Sequence, residues 1–269
     1  MLLTTRSRSV QQIYATRDAH MEENRADMQR TVNPHNPFSE VLADGAWLNE
    51  PCFIVGGGPS LIGFDFERLR GHGHVIVINR AFEFASFADI LFFMDWRFYR
   101  LCHDDPARYK MWQEFKGHRV FLNIMGRKLE DCYSVRSVGR HGLSKSIAGG
   151  LHHGNNSGVG ALNLALCLQA RPIYLLGYDM RHENGQAHFH SGYGGIAHEK
   201  TALSFAREFE RIGKGIADKS GIINLNPRST LRLFPFGNVD EVLSNGKTRQ
   251  GVGDNRAALR DPVSASAPA

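Results

Sequence analysis

Four short stretches of this chain carry side chains or backbone that could do chemistry. The first is Val55-Gly56-Gly57-Gly58-Pro59-Ser60-Leu61. Three glycines let a backbone approach a ligand closely, and exposed amides followed by a hydroxyl make an anion or phosphate cradle. The run is neither a G-x-G-x-x-G fingerprint nor a Walker loop, which would need a Lys that is missing here. The second stretch is a pair of polar strand ends, Asn79-Arg80 and Asp95. The third is Asn155-Asn156-Ser157-Gly158-Val159, where a helix would begin with free amides, a positive dipole end and a hydroxyl. The fourth is Leu176-Gly177-Tyr178-Asp179-Met180, followed by His188-Phe189-His190. Histidine changes charge near neutral pH, so it suits general acid/base work or metal ligation. In an extended segment His188 and His190 would share one face, and with Asp179 they could hold a divalent ion.

These residues need a scaffold that brings them to one edge. Short apolar runs predict strands at Cys52–Gly56, His74–Asn79, Asp89–Met94, Arg119–Asn123, Pro172–Gly177 and Gly221–Leu225. Several are apolar on both faces, as a buried parallel sheet requires. Helices fit between them. Ser157–Gln169 follows an N-cap candidate, Asn156, and is apolar almost all round; His198–Lys219 repeats apolar residues at a 3.6-residue period. Alternation of this kind predicts a single α/β domain, a doubly wound, mostly parallel, Rossmann-like sheet with helices on both faces. In such sheets ligands bind beyond the carboxyl ends of the strands, where the first, second and fourth stretches fall. Residues 126–155 are rich in Gly, Ser and His without a clear period and read as a long loop or lid.

Composition sets outer bounds. The 269 residues are 42% hydrophobic and 22% charged, which excludes a wholly disordered chain. No apolar run reaches the ~18 residues of a membrane span, and no signal-peptide core is seen near the start, so a cytoplasmic location is expected. The net charge is +5. Part of it lies in a polar arm, residues 1–37, and a tail, residues 244–269, which flank a folded body over 38–243. Arg6, Arg8, Arg17, Lys247, Arg249 and Arg256 could touch nucleic-acid phosphates. The body itself is near neutral, which argues against a broad nucleic-acid surface. The four cysteines are far apart, without C-x-x-C spacing, and Cys52 and Cys167 read as small core hydrophobes.

Taken in order, the motifs G-G-G-P-S-L, Asn79, N-S-G-V and I-Y-L-L-G-Y-D resemble two related groups. One is the bacterial sialyltransferases with a single-domain nucleotide-binding fold. The other is the 6-hydroxymethylpterin diphosphokinase MptE-like family, whose members also occur in phages. The resemblance spans roughly residues 50–235 and includes N-x-N-P-R-S-T-L at 224–231. It implies that Gly57, Gly58, Pro59, Ser60, Asn79, Ser157 and Gly158 contact the nucleotide of a donor, with Gly57 where the sialyltransferases usually carry Asn. It implies a catalytic base among His188, His190 and His198, and a tyrosine (Tyr178 or Tyr193) at the leaving phosphate. The G-G-G-P-S-L wording and the H-x-H are closer to the MptE-like group, which moves pyrophosphate from ATP to a hydroxyl with Mg²⁺. The expected function is thus a nucleotide-donor transferase acting on a hydroxyl acceptor, through pyrophosphoryl transfer. The alternatives are a CMP-sugar glycosyltransferase and a non-catalytic phage protein that binds nucleotide or nucleic acid. Gly56, Arg80, Asp95 and Asn156 complete the expected nucleotide-binding set. Arg80, amides or a metal would stabilise the leaving phosphate.

Overall fold

In the computed structural model, residues 35–190 and 199–245 are described. Eight strands form one sheet in which every pairing is parallel. They are β1 (Cys52–Val55), β2 (His74–Ile78), β3 (Ile90–Phe93), β4 (His118–Asn123), β5 (Tyr133–Gly139), β6 (Leu151–His152), β7 (Ile173–Leu176) and β8 (Ile222–Asn224), in the order β6-β5-β4-β3-β2-β1-β7-β8. The helices are α1 (Trp96–Asp104), α2 (Pro106–Glu114), α3 (Ser157–Cys167), α4 (Glu199–Gly213) and α5 (Val239–Asn245).

Side-chain alternation divides the central strands between two cores. Cys52, Ile54, Ile76, Ile78, Ile90, Phe92, Val120 and Leu122 face one side, with Leu162 and Leu164 of α3 and Phe209 and Ile212 of α4. Phe53, Val55, Val75, Val77, Leu91, Phe93 and Phe121 face the other, with Phe98 of α1, Trp112 of α2 and Leu243 of α5. Helices therefore cover both faces, which is why these strands carry no polar alternation. α3 lies close on the sheet because its side chains are small. A Cβ at Gly160 would sit 2.9 Å from the Phe92 ring and 3.2 Å from Leu122.

All six strands expected from the sequence form. The 126–155 stretch differs from its reading as a loop or lid, since it supplies β5 and β6 on the outer edge of the sheet. β5 is half exposed and interrupted by Arg136, and β6 is only two residues long, so neither leaves a strand-like apolar run. The 139–142 loop after β5 is tied to α4 by the buried Glu208, which pairs with Arg140 at 2.6 Å, Arg211 at 2.9 Å and His141 at 3.4 Å. Among the described residues, no helix is long and apolar enough to cross a membrane.

Candidate functional site

The strand order reverses at β1. The chain lays β2 to β6 outward on one side, then returns to place β7 on the other side of β1. The carboxyl ends of β1 and β7 therefore open side by side, at the switch point where α/β sheets form their crevice. β1 delivers Gly56–Ser60 and β7 delivers Gly177–Asp179. The two turns touch backbone to backbone: the Gly56 amide donates to Leu176 O at 2.8 Å and the Gly58 amide to Gly177 O at 2.9 Å. A Cβ on Gly56 would lie 2.9 Å from Gly177 O, and one on Gly58 only 1.9 Å from Asp179 Oδ2. Two of the three glycines are thus required by the neighbouring turn. Gly57 alone faces the histidine segment, its would-be Cβ 3.2 Å from His188 Nδ1.

Asp179 is 2% exposed. Its Oδ1 accepts from the Ser60 amide at 2.9 Å and from Asn226 Nδ2 at 3.0 Å, and its Oδ2 accepts from the Ser60 hydroxyl at 2.8 Å. Pro59–Leu61 is a single 3-10 turn whose free amide at Ser60 is capped from across the crevice by this carboxylate. Burial raises the Asp179 pKa, opposed by the Ser60 hydrogen bonds, while the Glu183 charge raises it further. Both carboxylate oxygens are thereby committed to holding the glycine loop. That does not fit the divalent ion expected between Asp179 and the two histidines. Among the described residues no group of three His, Cys, Asp or Glu side chains is placed to hold a metal.

The histidine segment crosses over the loop. The Phe189 amide donates to Gly57 O at 3.1 Å. The His188 and His190 rings are stacked, 5.2 Å between centroids and 1° apart in plane, so the i, i+2 spacing does put them on one face. Burial lowers the His188 pKa, a hydrogen bond with the Gly57 backbone opposes this, and the charges of His182 and Arg80 lower it further. These effects disfavour the charged imidazole. His190 is buried.

β2 supplies Asn79 and Arg80 beside β1. Asn79 has φ 49°, and its Oδ1 is buried without a hydrogen-bond partner among the described residues. Such an acceptor calls for a donor. Arg80 is 4% exposed and bonded twice to Glu83, at 2.6 and 2.8 Å, so much of its charge is compensated. Asp95 stands apart: it is exposed and caps α1 by accepting from the Arg97 amide at 2.8 Å. Asn156 caps α3 by accepting from the Gly158 amide at 2.7 Å. Ser157 is the first residue of that helix. Tyr178 is buried against Phe209, and its hydroxyl donates inward to Gly158 O at 3.2 Å, which joins the α3 start to the β7 turn. His198 and Tyr193 lie outside the described residues.

Apart from Ser60, the residues that hold Asp179 in place carry no expected chemical role in the sequence. Asn226 binds its side chain, the Thr230 amide donates to Asp179 O at 3.0 Å, and Ser229 Oγ donates to Tyr178 O at 2.6 Å. Their signal is the N-x-N-P-R-S-T-L segment at 224–231, which the resemblance includes without assigning it a role.

No protein-family model matches the chain, and no curated protein matches it. The MptE-like membership suggested by the motifs thus has no family match behind it. Two solved structures are similar. One is the MAf glycosyltransferase from Magnetospirillum magneticum AMB-1, at 20% identity and TM-score 0.49 over 81% of this chain. This chain spans only 38% of that protein's length. The other is the sialyltransferase CstII from Campylobacter jejuni in complex with a substrate analogue, cytidine-5'-monophosphate, at 16% identity and TM-score 0.43, over 70% of this chain and 85% of that one. At these identities the likeness is one of backbone course.

Proposed function

We propose that the protein transfers a glycosyl group from a nucleotide-sugar donor to a hydroxyl acceptor, with a histidine of the 188–190 segment as general base. The observation that carries this reading is the seating of His188 directly on Gly57, inside the switch-point crevice. In this proposal Nδ1, which lies beside Gly57, carries the ring proton, so that Nε2 keeps the lone pair and takes the acceptor proton while the nucleotide departs with its phosphate. The Gly57 region, the α3 start and the orphaned Asn79 Oδ1 bind the donor: the positive dipole end of α3 attracts phosphate and Asn79 takes a donor group of the nucleotide. Asp179 acts as a positioning residue that fixes the loop through Ser60.

Pyrophosphoryl transfer is the less favoured chemistry. It depends on metal ions that bridge and neutralise phosphate oxygens, and the carboxylate that would hold one is already bonded to Ser60 and Asn226. The basic residues invoked for nucleic acid, Arg6, Arg8, Arg17, Lys247, Arg249 and Arg256, lie outside the described residues. The donor base is assigned here to cytosine, following the sialyltransferase resemblance.

The test is a thermal-shift and calorimetric titration with CMP in EDTA and with ATP plus Mg²⁺, followed by CMP-sugar turnover by wild type, His188→Ala and His190→Ala. CMP binding without metal, and loss of at least 100-fold in turnover in one histidine variant with CMP binding kept, is expected. Binding of ATP with Mg²⁺ alone, or full activity in both variants, would overturn the reading.

A further inference from the structure

A cavity of about 350 Å³ opens beside the histidine segment, lined by Leu61, Phe64, Phe66, Phe84 and Phe189, with Gly63, Asp65 and Glu67. We propose that it is the acceptor subsite and that it selects an uncharged alcohol carrying an apolar substituent, while rejecting anionic acceptors. The acceptor role rests on the transferase reading; the selectivity rests on the lining alone.

Three observations point to this occupant. The first is continuity with the base. Phe189 lines the cavity, and its ring meets the His190 ring edge to face, 5.1 Å between centroids. An apolar group in the cavity would thus hold its attached hydroxyl near the His190 imidazole. The second is the arrangement of the rings. Phe66 is tilted by 40° to Phe84 and by 41° to Phe189, and Phe84 meets Phe189 edge to face at 69°. No two of these walls are parallel, so they do not sandwich a ring between two faces, and a compact apolar group, aryl or branched alkyl, meets several rings at once. The third is charge. The only ionisable lining residues are Asp65 and Glu67; Glu67 is paired with Arg70 and Arg68 lies over the Phe64 ring, so the lining itself offers an anion the Asp65 carboxylate and no cation of its own. Their hydrogen-bonding capacity is partly used: Asp65 Oδ1 accepts from the Glu67 amide, and Glu67 is bonded to Arg70. Apolar contact is left as the main means of recognition. Phe84, 45% exposed, forms the open edge and has little to gain from folding alone.

The experiment uses the full chain and saturation-transfer NMR with 2-phenylethanol and phenyl phosphate, which share a ring and differ in charge. Wild type should bind 2-phenylethanol at least tenfold more tightly than phenyl phosphate. Phe84→Ala should weaken 2-phenylethanol at least tenfold, and Phe84→Leu, which keeps apolar bulk but loses the ring, should fall between. Equal or tighter binding of phenyl phosphate, or unchanged binding in Phe84→Ala, would overturn the proposal. So would a Phe84-dependent dimer in light scattering, since a second copy would then cover the cavity. CMP titrated into the same samples separates the two readings. Absent CMP binding with the expected probe behaviour sinks the transferase reading and leaves the pocket's selectivity. CMP binding with no 2-phenylethanol selectivity sinks the pocket alone.

Discussion

Gly57→Ala and Gly58→Ala are neighbours with the same added methyl, yet they should fail in different ways. Gly58 has φ −66° and ψ 151°, a conformation any residue adopts, so backbone strain is not the issue. Its added Cβ would lie 1.9 Å from Asp179 Oδ2 and 2.5 Å from Gly177 O, where ordinary contact begins near 3.4 Å. The carbonyl belongs to the backbone of the adjacent turn and cannot yield cheaply. The carboxylate can move only by giving up its bonds to the Ser60 amide, the Ser60 hydroxyl and Asn226. A hydrogen bond to a charged group is worth about 1.5–3 kcal/mol, and overpacking alone costs about 1–3 kcal/mol. Gly58→Ala should therefore destabilise by about 4 kcal/mol or more, or roughly 8–16 °C in Tm at ~2–4 °C per kcal/mol. At Gly57 the nearest atom is His188 Nδ1 at 3.2 Å, a side-chain atom that needs to yield only a few tenths of an ångström. That variant should stay within about 1 kcal/mol of wild type but displace the imidazole, with a tenfold or greater loss of turnover. Urea unfolding followed by circular dichroism gives the first quantity and CMP-sugar turnover the second. A Gly58→Ala protein within about 1 kcal/mol of wild type, or one more stable than Gly57→Ala, would refute the account of the loop as a part clamped by Asp179.

The remaining predictions follow from single groups. Asn226→Ala removes one of the three bonds to a buried carboxylate and should cost about 1.5–3 kcal/mol in urea unfolding, with CMP affinity lowered because the loop loosens. Tyr178→Phe should cost only about 1 kcal/mol and leave turnover unchanged, since its hydroxyl donates to Gly158 O inside the protein; a large loss of kcat would place that hydroxyl in the chemistry. Burial lowers the pKa of His118, His153 and His188 below 6.5, so the unfolded chain binds more protons than the folded one as pH falls through 6.5. Stability should accordingly be fully present above pH 6.5 and decline below it; the raised Asp179 pKa opposes this trend in the window above 3.8. A Tm that does not fall between pH 7 and pH 5 would contradict it. All four cysteines are free and buried, and burial pushes Cys102 and Cys167 up to about 12 and raises Cys52 and Cys132 as well. A thiol reagent at pH 8 should find no reactive cysteine in the folded protein and four in urea.

The sequence by itself determined six of the sheet's eight strands. Strands such as Cys52–Val55 and Ile90–Phe93 are buried on both faces, so they must be apolar throughout, and that leaves an unmistakable run. It also determined which edge carries the polar groups, because Gly56–Ser60, Asn79, Asp95 and Asp179 all follow strands. β5 escaped because its residues alternate between core and solvent with Arg136 and Ser137 among them, a pattern shared with loops. What only the tertiary structure decided is the work of each polar side chain. A strand-end carboxylate reads the same whether it caps its own helix, as Asp95 does, or reaches across the sheet reversal to hold Ser60, as Asp179 does. A glycine triplet reads as an open cradle, yet two of its members are there because the β7 turn presses against them. Ser60, Asp179 and Asn226 are separated by 119 and 47 residues, and nothing local couples them. Their union depends on β7 returning to lie beside β1, and that is a property of strand order, which residue types do not encode one segment at a time.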